Sequence, residues 1–65
     1  MIEGLVADFD VARGDGWVRA GAEDFYVHCV NVADGSRQLL VGSPVRGVRA
    51  VGRLGRDELV AVEKL

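Results

Sequence analysis

The segment Gly14-Asp15-Gly16-Trp17-Val18-Arg19-Ala20-Gly21-Ala22-Glu23-Asp24-Phe25-Tyr26-Val27-His28 decides how the rest of the chain is read. Two runs rich in aromatic and β-branched residues flank Gly21-Ala22-Glu23, the composition of two strands joined by a turn. Side chains alternate across a strand. Pairing the runs antiparallel therefore sends Val18, Phe25 and Val27 to one face and Trp17, Tyr26 and His28 to the other. The first set is apolar throughout and reads as core. The second is aromatic and polar, and an aromatic sheet face of this kind is a surface on which unpaired bases stack.

Outward from this hairpin, glycines punctuate the chain at short intervals and no apolar repeat at helical spacing is sustained, which predicts an all-β domain. Strand one is expected over about Glu3 to Asp10, strand two over Gly16 to Ala20, and strand three from Asp24 to Cys29 or Val30. Asp34-Gly35-Ser36 reads as a turn or short helical turn. Strand four runs from about Val45 to Val51, with Pro44 at its start because proline cannot donate to a ladder. Gly47 interrupts its alternation and marks a bulge. Gly52-Arg53-Leu54-Gly55 makes the next turn, and strand five covers about Glu58 to Val62. Val6, Val18, Phe25, Val27, Val32, Val45 and Val60 form the expected core. Five short strands with a longer connection after the third predict a five-stranded antiparallel Greek-key barrel of the oligonucleotide-binding type. A half-open SH3-like barrel is the competing arrangement.

With 65 residues the chain is expected to be one domain, residues 1–65, near the lower size limit for independent folding. Its single cysteine, Cys29, can make no internal disulfide. Together with an N-terminus that lacks a positive start and a long apolar run, this predicts a cytoplasmic protein with no membrane partner; a monomer is expected, with a dimer as the alternative. The net charge is −2, but the charges are segregated. Acids dominate up to Asp24, whereas from Arg37 to Arg56 the only charges are Arg37, Arg46, Arg49, Arg53 and Arg56. A dipolar field follows, with local potential more important than the sum. The preponderance of arginine over lysine suits phosphate contacts and base stacking, although a GC-rich genome produces the same bias.

These residues together resemble the bacterial cold-shock proteins. That family opens with Gly-x-Val-Lys-Trp-Phe-Asn, where this chain has Gly4-Leu5-Val6-Ala7-Asp8-Phe9-Asp10. Its first ribonucleoprotein motif, Lys-Gly-Phe-Gly-Phe-Ile, is matched by Arg13-Gly14-Asp15-Gly16-Trp17-Val18, and its second, Val-Phe-Val-His-Phe, by Phe25-Tyr26-Val27-His28-Cys29. Val32, Asp34-Gly35, Leu39 and Gly42 fall where the family has its Ile, Asp-Gly, Leu and Gly. The resemblance implies a cold-shock-like domain that binds single-stranded RNA or DNA with low sequence preference, as an RNA chaperone does. Carried over by position, the implied contacts are Phe9, Arg13, Trp17, Tyr26 and His28. Arg37 and Arg56 are added as phosphate contacts from the charge pattern. Asp8, Asp15 and Cys29 stand where the family has aromatics, Ala7 where it has lysine, and Ser36 where it has a contact residue.

Neither metal nor nucleophilic chemistry has a motif here. One His and one Cys adjacent in a strand point to opposite faces, and a zinc site needs about four ligands. Asp8, Asp10 and Asp15 lack the spacing of a calcium loop. Gly14-Asp15-Gly16 lacks the strand-to-helix context of a dinucleotide motif. The chain is read as a binding protein, not an enzyme, with no cofactor. The rival reading is a protein-interaction barrel with a basic protein partner, because Asp8 and Asp15 make the aromatic face acidic. Asp15 is expected to be exposed, so that its replacement would alter binding but not stability.

Overall fold

In the computed structural model, which describes residues 1–52 and 54–65, five strands form β1 (Ile2–Asp10), β2 (Asp15–Ala20), β3 (Glu23–His28), β4 (Pro44–Val51) and β5 (Asp57–Lys64). Arg53 lies outside the described residues. The strands close into a barrel in the order β1-β2-β3-β5-β4, with β4 returning to pair with β1. This is a five-stranded Greek-key barrel of the oligonucleotide-binding type, not a half-open one. All ladders are antiparallel except the closure. There β3 meets β5 in parallel through Tyr26 and Glu58, and Val32 bridges Val62 in the same sense.

The hairpin that anchors the fold forms as its sequence dictates. Gly21 takes φ +64 at the first central position of a two-residue turn, the site where a twist-matched hairpin needs glycine. The register that follows sets Val18 opposite Phe25 and Trp17 opposite Tyr26. Val18, Phe25 and Val27 are buried with Val6, Val32, Leu39, Val45, Leu59 and Val62, while Ile2, Phe9 and Ala20 pack partly against this core.

Two irregularities separate the observed core from the expected one. Along β1 the register with β2 slips between Val6 and Asp8, so Ala7 is an extra residue. The bulge returns Val6 to the core side while turning Asp8 outward. In β5, Ala61 takes φ +51, and two residues there oppose the single Gly47 of β4. This places the bulge at the level of Gly47 but its extra residue in β5. Leu59 and Val62 therefore point inward and Val60, expected in the core, does not. Leu39 enters the core from the long connection between β3 and β4, where no alternation announces it.

Chain crossings are closest at Gly16. A Cβ there would be driven into the backbone of Asp8 and Phe9 on β1, so Gly16 is what lets β1 and β2 approach. We predict that Gly16→Ala destabilises the domain by about 2–3 kcal/mol, the upper range for overpacking. That is a large fraction of the roughly 3–10 kcal/mol expected of a chain this size. A urea melt should show the midpoint falling, and an unchanged midpoint would contradict the close approach.

Candidate nucleic-acid interface

The hairpin register carries a row of outward-facing residues across four strands. Asp8 of β1 pairs with Trp17 of β2, Trp17 with Tyr26 of β3, and Tyr26 with Glu58 of β5. Neighbouring strands lie about 4.8 Å apart, so two rings sit side by side with a carboxylate at either end. The next row places Asp10 beside Asp15 and Asp15 beside His28. Trp17, Tyr26 and His28 do share a face. Trp17 is 38% exposed and meets Tyr26 edge-on, with ring centroids 5.6 Å apart and planes at 75°, a favoured aromatic geometry.

Arg56 completes the surface. Its guanidinium carbon lies 3.8 Å from the centroid of the Tyr26 ring, and its Nε is 3.9 Å from Glu58 Oε2. That Nε is buried with no hydrogen-bond partner. An open groove of about 540 Å³ extends from here, lined by Tyr26, His28, Val30, Asn31, Leu54 and Glu58 with Arg56. His28 ends β3 because its Nδ1 accepts the Val30 amide at 3.3 Å, starting a 3-10 turn over Cys29–Asn31. In that arrangement the ring proton belongs on Nε2. The turn also ends the third strand before Cys29.

Asp15 is not the solvated residue expected. The Tyr26 hydroxyl donates to its Oδ2 at 2.7 Å and Arg13 Nη2 lies 3.3 Å from the same oxygen, and the Asp15 side chain is 15% exposed. The tyrosine hydrogen bond first, then the Arg13 charge, hold its carboxyl below the usual aspartate range. The same hydrogen bond raises the Tyr26 phenol. Asp15 thus fixes the orientation of Tyr26 and tethers Arg13 beside the rings. No spacing rule could have paired Asp15 with Tyr26. The signal was the hairpin register, which sets Asp15 against His28 and two pairs away from Tyr26, on the same face.

The remaining candidates separate. Phe9 pairs with Gly16 and packs against the core, on the opposite sheet side from Trp17, because the strand alternates from Asp8 to Asp10. Arg37 follows the Asp34-Gly35-Ser36 turn, which is bonded through Asp34 and Ser36 to Lys64 at the far end of β5 from Glu58. The structure does not bring Arg37 to the rings. The expected dipole is likewise corrected. Arg46 pairs with Glu63, Arg49 with Asp57 and Arg56 with Glu58, so acids of β5 offset these three arginines. Among the described residues Arg37 is the arginine without an ion pair.

Among the described residues no group of three or more His, Cys, Asp or Glu is placed to hold a metal ion, and no helix is long and apolar enough to cross a membrane. No family model and no curated protein matches the chain.

Acid should act on two carboxylates, one at each end of the barrel, in a defined direction. Asp34, held down to about 2 chiefly by the Ser36 amide and hydroxyl and by Lys64, and Asp15, also lowered, both have folded values below their ordinary 3.8. Their stabilisation is complete above that value and is lost as pH falls through the folded values. Tyr26→Phe removes the first cause of the Asp15 shift. In a carboxyl NMR titration the Asp15 midpoint should move up toward 3.8 while Asp34 stays near 2. An Asp15 midpoint that does not move would contradict the hydrogen bond.

Proposed function

We propose that the protein binds single-stranded nucleic acid by stacking bases on the outer face of β2 and β3. The observation that carries this reading is the Trp17–Tyr26 pair with Arg56 laid on the tyrosine ring. Base–aromatic stacking contributes about 1–3 kcal/mol per base and needs no particular sequence. An arginine plane on a tyrosine extends such a platform, because guanidinium stacks on π faces and still offers N–H groups to phosphate. The groove past His28, Val30 and Leu54 gives a strand a continuation beyond the first bases. The resemblance to cold-shock proteins supports the same reading and suggests an RNA-chaperone role, in which unpaired RNA is held open. Arg13 and Arg56 are the cations beside the rings. The reading requires binding alone, without catalysis or cofactor.

A second reading, a barrel that docks a basic protein, is favoured by Asp8 and Asp10. Neither makes an ion pair among the described residues, and both face outward beside the aromatic rows. Such a partner would be drawn by charge complementarity.

Trp17 is the only tryptophan, so its fluorescence reports stacking directly. A pyrimidine-rich strand of ~4–16 nucleotides should quench it at low salt. With two cations at the rings, log affinity against log salt should have a slope of about −1 to −2, and Arg56→Ala should make it shallower by about 0.7. Absence of quenching and of a mobility shift at high micromolar strand would refute the reading and leave the protein-docking one. A slope steeper than about −4 would mean that arginines away from the rings dominate.

A further inference from the structure

We propose that Asp8 makes the platform discriminate among bases, accepting those with an exocyclic amino group and rejecting uracil and thymine. This rests on the single-strand reading above. Asp8 is the direct cross-strand partner of Trp17 on the outer face, and side chains so paired have Cβ atoms about 4.5–5.5 Å apart. A base lying on the indole therefore presents an edge within reach of the Asp8 carboxylate. The other carboxylates on these rows are committed. Asp15 holds the Tyr26 hydroxyl and Arg13, Glu58 lies against Arg56, and Asp10 accepts the Ala12 and Arg13 amides. Asp8 is exposed and has no hydrogen-bond or ion-pair partner among the described residues.

An ionised carboxylate only accepts hydrogen bonds. Cytosine offers its N4 amino group, a contact that aspartate and glutamate make in base recognition. Uracil places a carbonyl oxygen at the corresponding position, where it meets the carboxylate acceptor to acceptor. The two bases have the same ring size and stack alike, so a difference between them isolates the edge. Arg13 and Arg56 contact phosphate or ring faces in the proposed mode and do not cancel this preference.

The test is a pair of oligonucleotides of about six residues, all cytidine and all uridine, titrated against the full chain by Trp17 quenching at neutral pH. Cytidine should bind about tenfold more tightly, within the discrimination that one good base-edge contact gives. Asp8→Asn offers a donor beside its acceptor, and should bring the two within about twofold, mainly by tightening uridine. Because Asp8 has no partner to lose, the thermal midpoint of this variant should match that of the parent. Equal or tighter binding of uridine by the parent would overturn the inference while leaving single-strand binding intact, as would a cytidine preference that survives in Asp8→Asn. Failure of both strands to quench would overturn the single-strand reading itself, and this inference with it.

Discussion

The architecture depends on β1 serving two neighbours at once. Its first half pairs with β4 and its second half with β2, so the strand must bend between them, and no flat ladder allows that. The extra residue Ala7 supplies the bend and Gly16 supplies the clearance. A bulge increases twist and re-aims the side chains after it. Without the slip at Ala7, Asp8 would take the opposite face and the row Asp8–Trp17–Tyr26–Glu58 would not exist. Barrel closure and the placement of the candidate site are thus consequences of one local distortion.

The site itself is held by contacts among its own members. Asp15 orients Tyr26 from one side while Arg56 covers the ring and leans on Glu58. Exposed ion pairs contribute little stability, about 0–1 kcal/mol each. The pairs at the rings matter more for where they hold side chains than for the energy they add. A tyrosine fixed by its hydroxyl and an arginine resting on its face lose less conformational freedom on meeting a ligand than mobile side chains would. The ion pairs between β4 and β5 have a different effect, since they offset Arg46 and Arg49 and leave Arg13 and Arg56 as the cations beside the rings.

Much of this was legible in the sequence because it rests on period-two alternation. Val6, Val18, Phe25, Val27, Val32 and Val45 lie in the core as their spacing predicts, and the shared face of Trp17, Tyr26 and His28 follows from one hairpin register. Strand ends agree to within a residue or two. What could not be read depends on departures from that period or on partners distant in sequence. Val60 yields to Leu59 and Val62 because Ala61 adopts a left-handed backbone, which an alanine does not advertise. Phe9, a contact by the resemblance alone, packs against the core because the bulge at Ala7 sets which side of β1 it takes. The segregation of arginines gave a misleading field because the acids that neutralise them follow in β5. Asp15 looked like a solvated turn residue and is instead the anchor of the tyrosine.

The central claim is that the outer face of β2 and β3 with Arg56 is where a ligand strand lies. Amide and side-chain chemical shifts of the labelled protein, followed while a single-stranded oligonucleotide is added, test it most directly. The account predicts that shifts concentrate at Asp15–Val18, Phe25–His28 and Arg56–Glu58, with ring protons of Trp17 and Tyr26 in contact with base protons. Shifts gathered instead around Arg37 and the Asp34-Gly35-Ser36 turn, with the aromatic rows unmoved, would contradict it.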